Sequence, residues 1–265
     1  MNTTARPHGN AKYHLEKCRC PDCTQAARDY ENNRYRAIAY GRWQPFVDAE
    51  PVRQHIRALG EFGIGWIRAA KLAGVSTGGV SKILYGDRPR GLAPTKRVRP
   101  ETALKILAVE PTLANLGTRT PIDGTGTRRR LQALVAKGWT QSELARRLGA
   151  DRANFARTIV SDLVEAGTAR AALALYDELW RLDPVEHGVP AHRAAHARRL
   201  AEAKRWAPIG AWDDETIDDP NTFPDWTGHC GTSKGYQKHY DLRVPLCEPC
   251  REARRTDRRS TTEAA

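Results

Sequence analysis

The stretch TQSELARRLGADRANFARTIV, residues 140–160, has the spacing of two short helices joined by a glycine turn. A helix-turn-helix needs a small residue where its helices cross and a glycine that can adopt a left-handed conformation in the turn. Ala145 and Gly149 stand at those positions, and Thr140 with Glu143 matches a capping box that fixes the start of the first helix. We therefore predict a helix-turn-helix, against the alternative of an ordinary helical hairpin. The apolar positions that would lock the helices together are Leu144, Leu148 and Phe155.

A second copy of the pattern lies upstream, in WIRAAKLAGVSTGGVSKILY, residues 66–85. Here Ala70 is the small residue, Gly74 the turn, and Ser76 or Thr77 the cap of the second helix. A shift of 75 residues superposes five small or apolar identities, which predict a tandem repeat. These identities are Ala58 on Ala133, Leu59 on Leu134, Gly63 on Gly138, Ala70 on Ala145 and Gly74 on Gly149.

The segment RRRLQALVAKGW in front of the second copy, taken together with that copy, resembles the Cro/cI-type repressor domain. In that family the motif forms the second and third helices of a small bundle. The resemblance implies a first helix over residues 128–137 and a closing helix over residues 167–180. In the first copy the equivalent helices would span residues 52–62 and 100–109.

The composition indicates nucleic acid as the partner. The chain of 265 residues has a formal net charge of +12, and 33 of its 43 basic residues are arginine, which suits bidentate contacts with phosphate and guanine. The chain contains no run of eighteen apolar residues, and its first residues lack the apolar core of a signal peptide. We therefore expect a cytoplasmic protein with no membrane partner.

If the second helix of each motif enters the major groove, its early and outward positions meet base edges. In the second motif Arg suits guanine and Asn suits adenine, whereas the first motif offers small polar side chains that position more than they specify. Because the two helices differ, we expect a non-palindromic site, with a linker spanning the roughly 34–36 Å between successive major grooves. The predicted DNA-contacting residues of the two motifs are Ser76, Thr77, Ser81, Lys82, Tyr85, Gln141, Asp151, Arg152, Asn154 and Arg157.

Basic residues continue after the first motif in GDRPRGLAPTKRVRP, residues 86–100. We expect an extended, proline-stiffened arm that follows phosphates or enters a minor groove. A solvated loop is the alternative. The basic side chains of this segment are Arg88, Arg90, Lys96, Arg97 and Arg99.

All six cysteines lie near the two ends of the chain, in HGNAKYHLEKCRCPDC (residues 8–23) and HCGTSKGYQKHYDLRVPLCEPC (residues 229–250). In a reducing compartment such clusters indicate metal ligands or redox thiols more readily than disulfides. Zinc accepts Cys and His in a closed tetrahedron and stabilises modules that lack an adequate core, so we predict two zinc ions in two zinc-knuckle-like modules. The predicted ligands are His8, Cys18, Cys20 and Cys23 in the head, and Cys230, His239, Cys247 and Cys250 in the tail.

Several alternatives for the cysteines stay open. His14 could replace His8 as the head ligand, and His229 could replace His239 in the tail. An iron–sulfur cluster could use the same thiols. A single four-thiolate site could also join the two termini, with Cys20, Cys23, Cys247 and Cys250 as its ligands.

The loop AWDDETIDDP, residues 211–220, is acidic. Its carboxylates could hold a catalytic metal, as in nucleases. More simply, they could cap a helix, repel DNA from one face or dock on a basic surface. We expect the simpler roles, and we predict no catalytic residues.

The whole arrangement resembles a group of helix-turn-helix proteins from actinobacteria and their bacteriophages. The residues that carry this resemblance are GTRRRLQALVAKGWTQSELARRLG, RVRPETALKIL, WAPIGAWDDETIDDP, CGTSKGY and CEPC. The resemblance implies DNA binding and identifies no regulon.

The predicted fold is mainly α: two tandem small helix-turn-helix units flanked by short zinc-stabilised Cys/His modules. The segments are 1–45 (Cys/His module and helix), 50–112 (first unit), 113–123 (linker), 124–182 (second unit), 183–228 (helix near 191–206 and acidic loop) and 229–265 (Cys/His module and basic tail). We expect a sequence-specific regulator of transcription that binds double-stranded DNA and is not an enzyme. The alternatives are an accessory or architectural protein that grips a recombinase or RNA polymerase through its zinc modules, and a zinc-dependent nucleic-acid enzyme.

Overall fold

The computed structural model describes residues 6–263, and the side chains of residues 6–260. About 58% of these described residues are helical, in thirteen α-helices and three short 3-10 helices, and the few strands are short. The prediction of a mainly α protein is therefore confirmed. The chain divides into two compact units, an N-terminal unit that ends at Glu110 and a C-terminal unit that begins at Pro111.

The N-terminal unit combines a helical pair with a small helical bundle. Its elements are α1 (Asn10–Leu15), α2 (Pro21–Ala39), β1 (Val47–Asp48), α3 (Glu50–Phe62), α4 (Trp66–Leu72), α5 (Thr77–Tyr85), β2 (Arg97–Val98) and α6 (Pro100–Leu107). The bundle buries one apolar stripe of each helix, with Ile56 from α3, Ala70 from α4, Ile83 from α5 and Ile106 from α6. The strands β1 and β2 pair in antiparallel fashion, with Val47 opposite Val98.

The C-terminal unit is built around one helix. Its elements are β3 (Pro121–Asp123), α7 (Thr125–Lys137), α8 (Gln141–Arg147), α9 (Arg152–Thr158), β4 (Leu163–Glu165), α10 (Ala166–Leu179), α11 (Ala191–Ala203), α12 (Ser233–Asp241) and α13 (Glu248–Glu263). The helix α7 packs on both α10 and α11, so it needs apolar residues on more than one face. Leu131, Leu134 and Val135 are accordingly fully buried, next to Trp139 and Phe155 in the same core.

The two bundles repeat one another in backbone detail. Adding 75 to the bounds of α3 and α4 gives the bounds of α7 and α8. In the turns, Gly74 and Gly149 both have φ of 63°. The N–H of Val75 donates to the carbonyl of Ala70 at 3.0 Å, and the N–H of Ala150 donates to the carbonyl of Ala145 at the same distance. At the closing helix the offset falls to 66 residues, because the segment between α5 and α6 is seven residues longer than the one between α9 and α10, and α5 itself is two residues longer than α9. The repeat predicted from five identities therefore extends to helix bounds and turn geometry.

The segment 113–123, predicted to be a linker, packs on the C-terminal unit. The guanidinium of Arg170 on α10 donates to the carbonyl of Leu116 at 3.1 Å, and the N–H of Gly167 donates to the carbonyl of Thr118 at 2.8 Å. Leu116 is buried. These contacts hold the segment against α10, so it is not a free tether.

Within the described residues, no helix combines the length and the apolar character needed to cross a membrane.

Candidate metal centres and nucleic-acid interface

The head cluster assembles around the N-terminus of α2. Cys20 is the residue before the helix and Cys23 lies in its first turn, so a Cys-x-x-Cys spacing turns both thiols to one side. The Nδ1 atom of His8 lies 3.1 Å from the Cys20 sulfur, 3.5 Å from the Cys23 sulfur and 4.0 Å from the Cys18 sulfur. These four residues bring their ligand atoms within 4.8 Å of one another and could hold a metal ion.

The tail cluster assembles in the same way at the N-terminus of α13. Cys247 precedes the helix and Cys250 lies in its first turn, while α12 carries His239. The Nε2 atom of His239 lies 3.3 Å from the Cys230 sulfur and 3.4 Å from the Cys247 sulfur. His239 and Cys250 are buried. The four residues form the second group that could hold a metal ion.

The two clusters share a hydrogen bond from a backbone N–H to a cysteine sulfur, which was not predicted from the sequence. In the head, the N–H of Gly9 donates to the Cys23 sulfur at 3.3 Å, and in the tail the N–H of Gly231 donates to the Cys250 sulfur at the same distance. A donated hydrogen bond favours the charged thiolate over the thiol. The only sequence signal for it is the glycine that directly follows the first ligand, His8 or Cys230, in each cluster.

Each cluster draws four ligand atoms from its own end of the chain, so neither needs a thiol from the other. His14 and His229 belong to neither group. The second ligand along the chain differs between the clusters. In the head it is Cys18, which follows α1, and in the tail it is His239, which lies within α12.

Burial raises the pKa of two of the tail thiols. It raises the pKa of Cys247 to about 12, and it raises the pKa of Cys230 as well. In the head, burial raises the pKa of Cys23, whereas hydrogen bonds from Cys20 lower the pKa of Cys18. Burial disfavours thiolates, and a bound cation supplies the charge that stabilises them. A set of three sulfurs and one imidazole nitrogen is chemically suited to a closed tetrahedral zinc site.

The helix α9 exposes the predicted base-contacting residues of the second motif. Arg152, Asn154 and Arg157 are exposed, whereas Phe155 between them is buried. Asp151 is the cap of α9, and its carboxylate also accepts a hydrogen bond from the side-chain amide of Asn154. Arg157 in turn donates to the Asn154 side-chain oxygen. Three of the predicted residues therefore form a hydrogen-bonded chain along one face of the helix. Gln141, at the start of α8, is half-buried.

The helix α5 exposes a smaller polar face. Ser76 caps the helix by accepting a hydrogen bond from the N–H of Gly79 at 3.2 Å, so its hydroxyl is already engaged. Thr77, Lys82 and Tyr85 are exposed, and Ser81 is half-buried beside them. The Lys82 ammonium nitrogen forms a salt bridge with a carboxylate oxygen of Asp87, at 3.1 Å.

The basic segment after α5 differs from the extended arm that the sequence predicted. Asp87 and Leu92 exchange two backbone hydrogen bonds of 3.0 Å, which close residues 87–92 into a loop. The loop folds back on Gly86, where a Cβ atom would lie 2.1 Å from the Leu92 carbonyl oxygen. Thr95 is held by the carbonyl of Lys82. Proline and arginine content suggested an arm, but these backbone contacts stabilise a compact loop. The basic side chains of the whole segment 86–100 remain exposed: Arg88 and Arg90 in this loop, and Lys96, Arg97 and Arg99 after it.

The acidic loop docks on basic side chains of α7. The carboxylate of Asp218 accepts two hydrogen bonds from the guanidinium of Arg130, which is 8% exposed. Arg129 donates to the carbonyls of Ile217, Asp219 and Thr222 at 2.6 to 2.9 Å, and its guanidinium lies 4.4 Å from the Trp212 ring centroid. Among the described residues, the two Cys/His clusters are the groups that could hold a metal, and the loop is not one.

No family model, curated protein or solved structure matches this chain.

Proposed function

We propose that this protein is a sequence-specific double-stranded DNA-binding protein, with α5 and α9 as major-groove recognition helices. The observation that most supports the proposal is the repeated turn, in which Gly74 and Gly149 share one left-handed conformation and follow the same small crossing residue. This is the backbone requirement of a helix-turn-helix. Two helix-turn-helix units in one chain would both need this turn, which is what the two copies have.

The exposed face of α9 suits base contacts. An α-helix with its side chains is about 10–12 Å across, which matches the roughly 12 Å width of the major groove. Arg152 and Arg157 suit guanine, and Asn154 suits adenine. In the absence of DNA, the side chains of Asn154 and Arg157 already have intramolecular hydrogen-bond partners. On binding, they would exchange these hydrogen bonds for bonds to bases.

We further propose that each terminal cluster binds one zinc ion as a structural site. The head module buries little: of the nineteen residues of α2, only Cys23 and Ala27 are buried among those the structure describes. Such a module lacks the apolar area to fold alone, and a closed metal site supplies the missing free energy. In this role the zinc ion performs no chemistry.

Two non-identical recognition helices suit a non-palindromic operator, and we propose regulation of transcription as the use of this binding. The alternative is an accessory or architectural protein that grips a recombinase or polymerase through its zinc modules, and such a protein would bind duplex DNA without sequence preference.

Selection of binding sites from a random duplex pool, followed by footprinting, tests the proposal. Arg152→Ala and Asn154→Ala should each relax the preference at one base position, for a loss of roughly 1–3 kcal/mol of discrimination apiece. Arg181→Ala is the matched control, because Arg181 is an exposed arginine of the same unit beyond the end of α10. It should leave the selected sequence unchanged. Equal binding to every duplex would overturn the proposal in favour of the accessory protein.

A further inference from the structure

A groove of about 600 Å³ lies on the C-terminal unit between α8, α9 and α11. Five of the side chains that line it carry or can accept positive charge: Arg152, His192, Arg193, His196 and Arg199. None of the described residues lining the groove is acidic. The surface therefore favours an anionic partner.

The helix α11 presents these residues in a fixed orientation. Its inner face consists of Ala194, Ala197 and Ala201, all buried, which lets α11 pack along α7. The guanidinium of Arg198 donates to the carbonyl of Lys137 at the end of α7, at 3.0 Å. These contacts settle the rotation of α11 about its axis, so that His192, His196 and Arg199 follow one another along the groove side.

The groove adjoins both helices of the second motif. Gln141 and Ser142, the first two residues of α8, line it, and so does Arg152, the first residue of α9. When a recognition helix brings its N-terminal residues to base edges, the preceding helix crosses the DNA backbone. A groove shared by these two N-terminal ends then faces the backbone beside the base pairs that α9 contacts.

We propose that α11 is an additional DNA-contacting element, in which His192, Arg193, His196 and Arg199 bind backbone phosphates flanking the base pairs contacted by α9. The inference rests on the proposed function, because it takes α9 as the recognition helix. From His192 to Arg199 the helix rises about 10 Å. Each DNA strand carries one charge per about 3.4 Å of duplex axis, so this stripe can contact more than one phosphate. Histidine donates a hydrogen bond to a phosphate oxygen in either charge state.

The salt dependence of binding by the full chain tests this role. Each phosphate contact contributes about 0.9 to the slope of log K against log salt concentration. Arg193→Gln combined with Arg199→Gln should therefore reduce the magnitude of the slope by about 1.8, while the selected base sequence stays the same. Arg181→Gln, which removes one exposed charge outside the groove, should leave the slope unchanged.

Ethylation interference on the selected site provides a second measurement. Phosphates whose ethylation weakens the unmodified protein should lose that effect in the double variant, and only on one side of the base pairs contacted by α9. An unchanged slope with unchanged interference, in a protein that still selects its site, would overturn the role of α11 and leave the proposed function standing. Failure of the unmodified chain to select any site would instead remove the proposed function on which this role depends.

Discussion

The carboxylate of Asp151 accepts a hydrogen bond from the backbone N–H of Asn154 at 2.8 Å, which caps α9. The equivalent contact 75 residues earlier joins Ser76 and the N–H of Gly79. Asp151 was predicted from the sequence as a DNA-contacting residue, and in the structure it also caps the N-terminus of α9. An acidic side chain is poorly placed to approach phosphates, whereas it is well suited to a helix N-terminus.

Replacement of this cap separates its two roles. Asp151→Ala should destabilise the C-terminal unit by about 0.5–2 kcal/mol, because one N–H of α9 loses its partner. Asp151→Ser keeps an acceptor and should stay close to the unmodified stability. Chemical denaturation measures both. If Asp151→Ser retains the stability but changes the selected DNA sequence, then the carboxylate contributes to base selection, either by contacting a base or by orienting the side chain of Asn154.

The left-handed turns should tolerate only particular residues. A Cβ atom at Gly149 would meet no heavy atom within 4 Å, so a substitution there is opposed by backbone conformation alone. Gly149→Ala should cost about 1–2 kcal/mol, whereas Gly149→Asn should cost less because Asn adopts the left-handed region more readily. The same order is expected at Gly74, since its φ is also 63°. Equal stability of the Ala and Asn variants in thermal unfolding would contradict this account.

Metal analysis of the purified chain should find two zinc ions. Cys23→Ser and Cys250→Ser should each reduce the content to one ion, because each removes a ligand from a different cluster. The matched controls are His14→Ala and His229→Ala, which remove histidines outside both clusters and should leave two ions. One ion in the unmodified chain would favour a site shared by the termini, and none would contradict the zinc proposal.

The ion pair between α7 and the acidic loop should depend on a glycine. A Cβ atom at Gly126 would lie 1.6 Å from a carboxylate oxygen of Asp218 and 2.7 Å from the guanidinium of Arg130. Gly126→Ala should therefore separate the pair. Hydrogen bonds between charged groups contribute roughly 1.5–3 kcal/mol, and we expect the weakened pair to cost about 1–2 kcal/mol because Asp218 is largely exposed. The roughly 0.5–1 kcal/mol that alanine adds to a helix offsets part of this cost.

Hydrogen exchange should localise that loss to α7 and to the backbone around residues 217–222. Gly60→Ala is the matched control, because Gly60 is also helical and a Cβ atom there would meet nothing within 4 Å. It should stabilise α3 by about 0.5–1 kcal/mol. Loss of stability in both variants, or in neither, would count against the close packing at Gly126.

Local chemistry in the sequence determined the helices and the ligand sets. Caps, turn glycines and apolar spacing act within a few residues, so the helices of both motifs and their repeat could be predicted from the chain alone. The Cys-x-x-Cys spacing likewise placed two thiols of each cluster on one helix end, and the structure brings the predicted His and third Cys to them.

Contacts between distant residues were decided by tertiary structure. Arg130 and Asp218 are 88 residues apart, and no local pattern indicates that one should bind the other. The same holds for the basic segment, which looks like an arm until the backbone bonds of Asp87 close it into a loop. It holds also for α11, whose arginine and histidine side chains lie beside Arg152 because the helix packs on α7. Local propensity determines what each segment is, whereas the burial of apolar faces and hydrogen bonds between residues distant in the chain determine which segments meet.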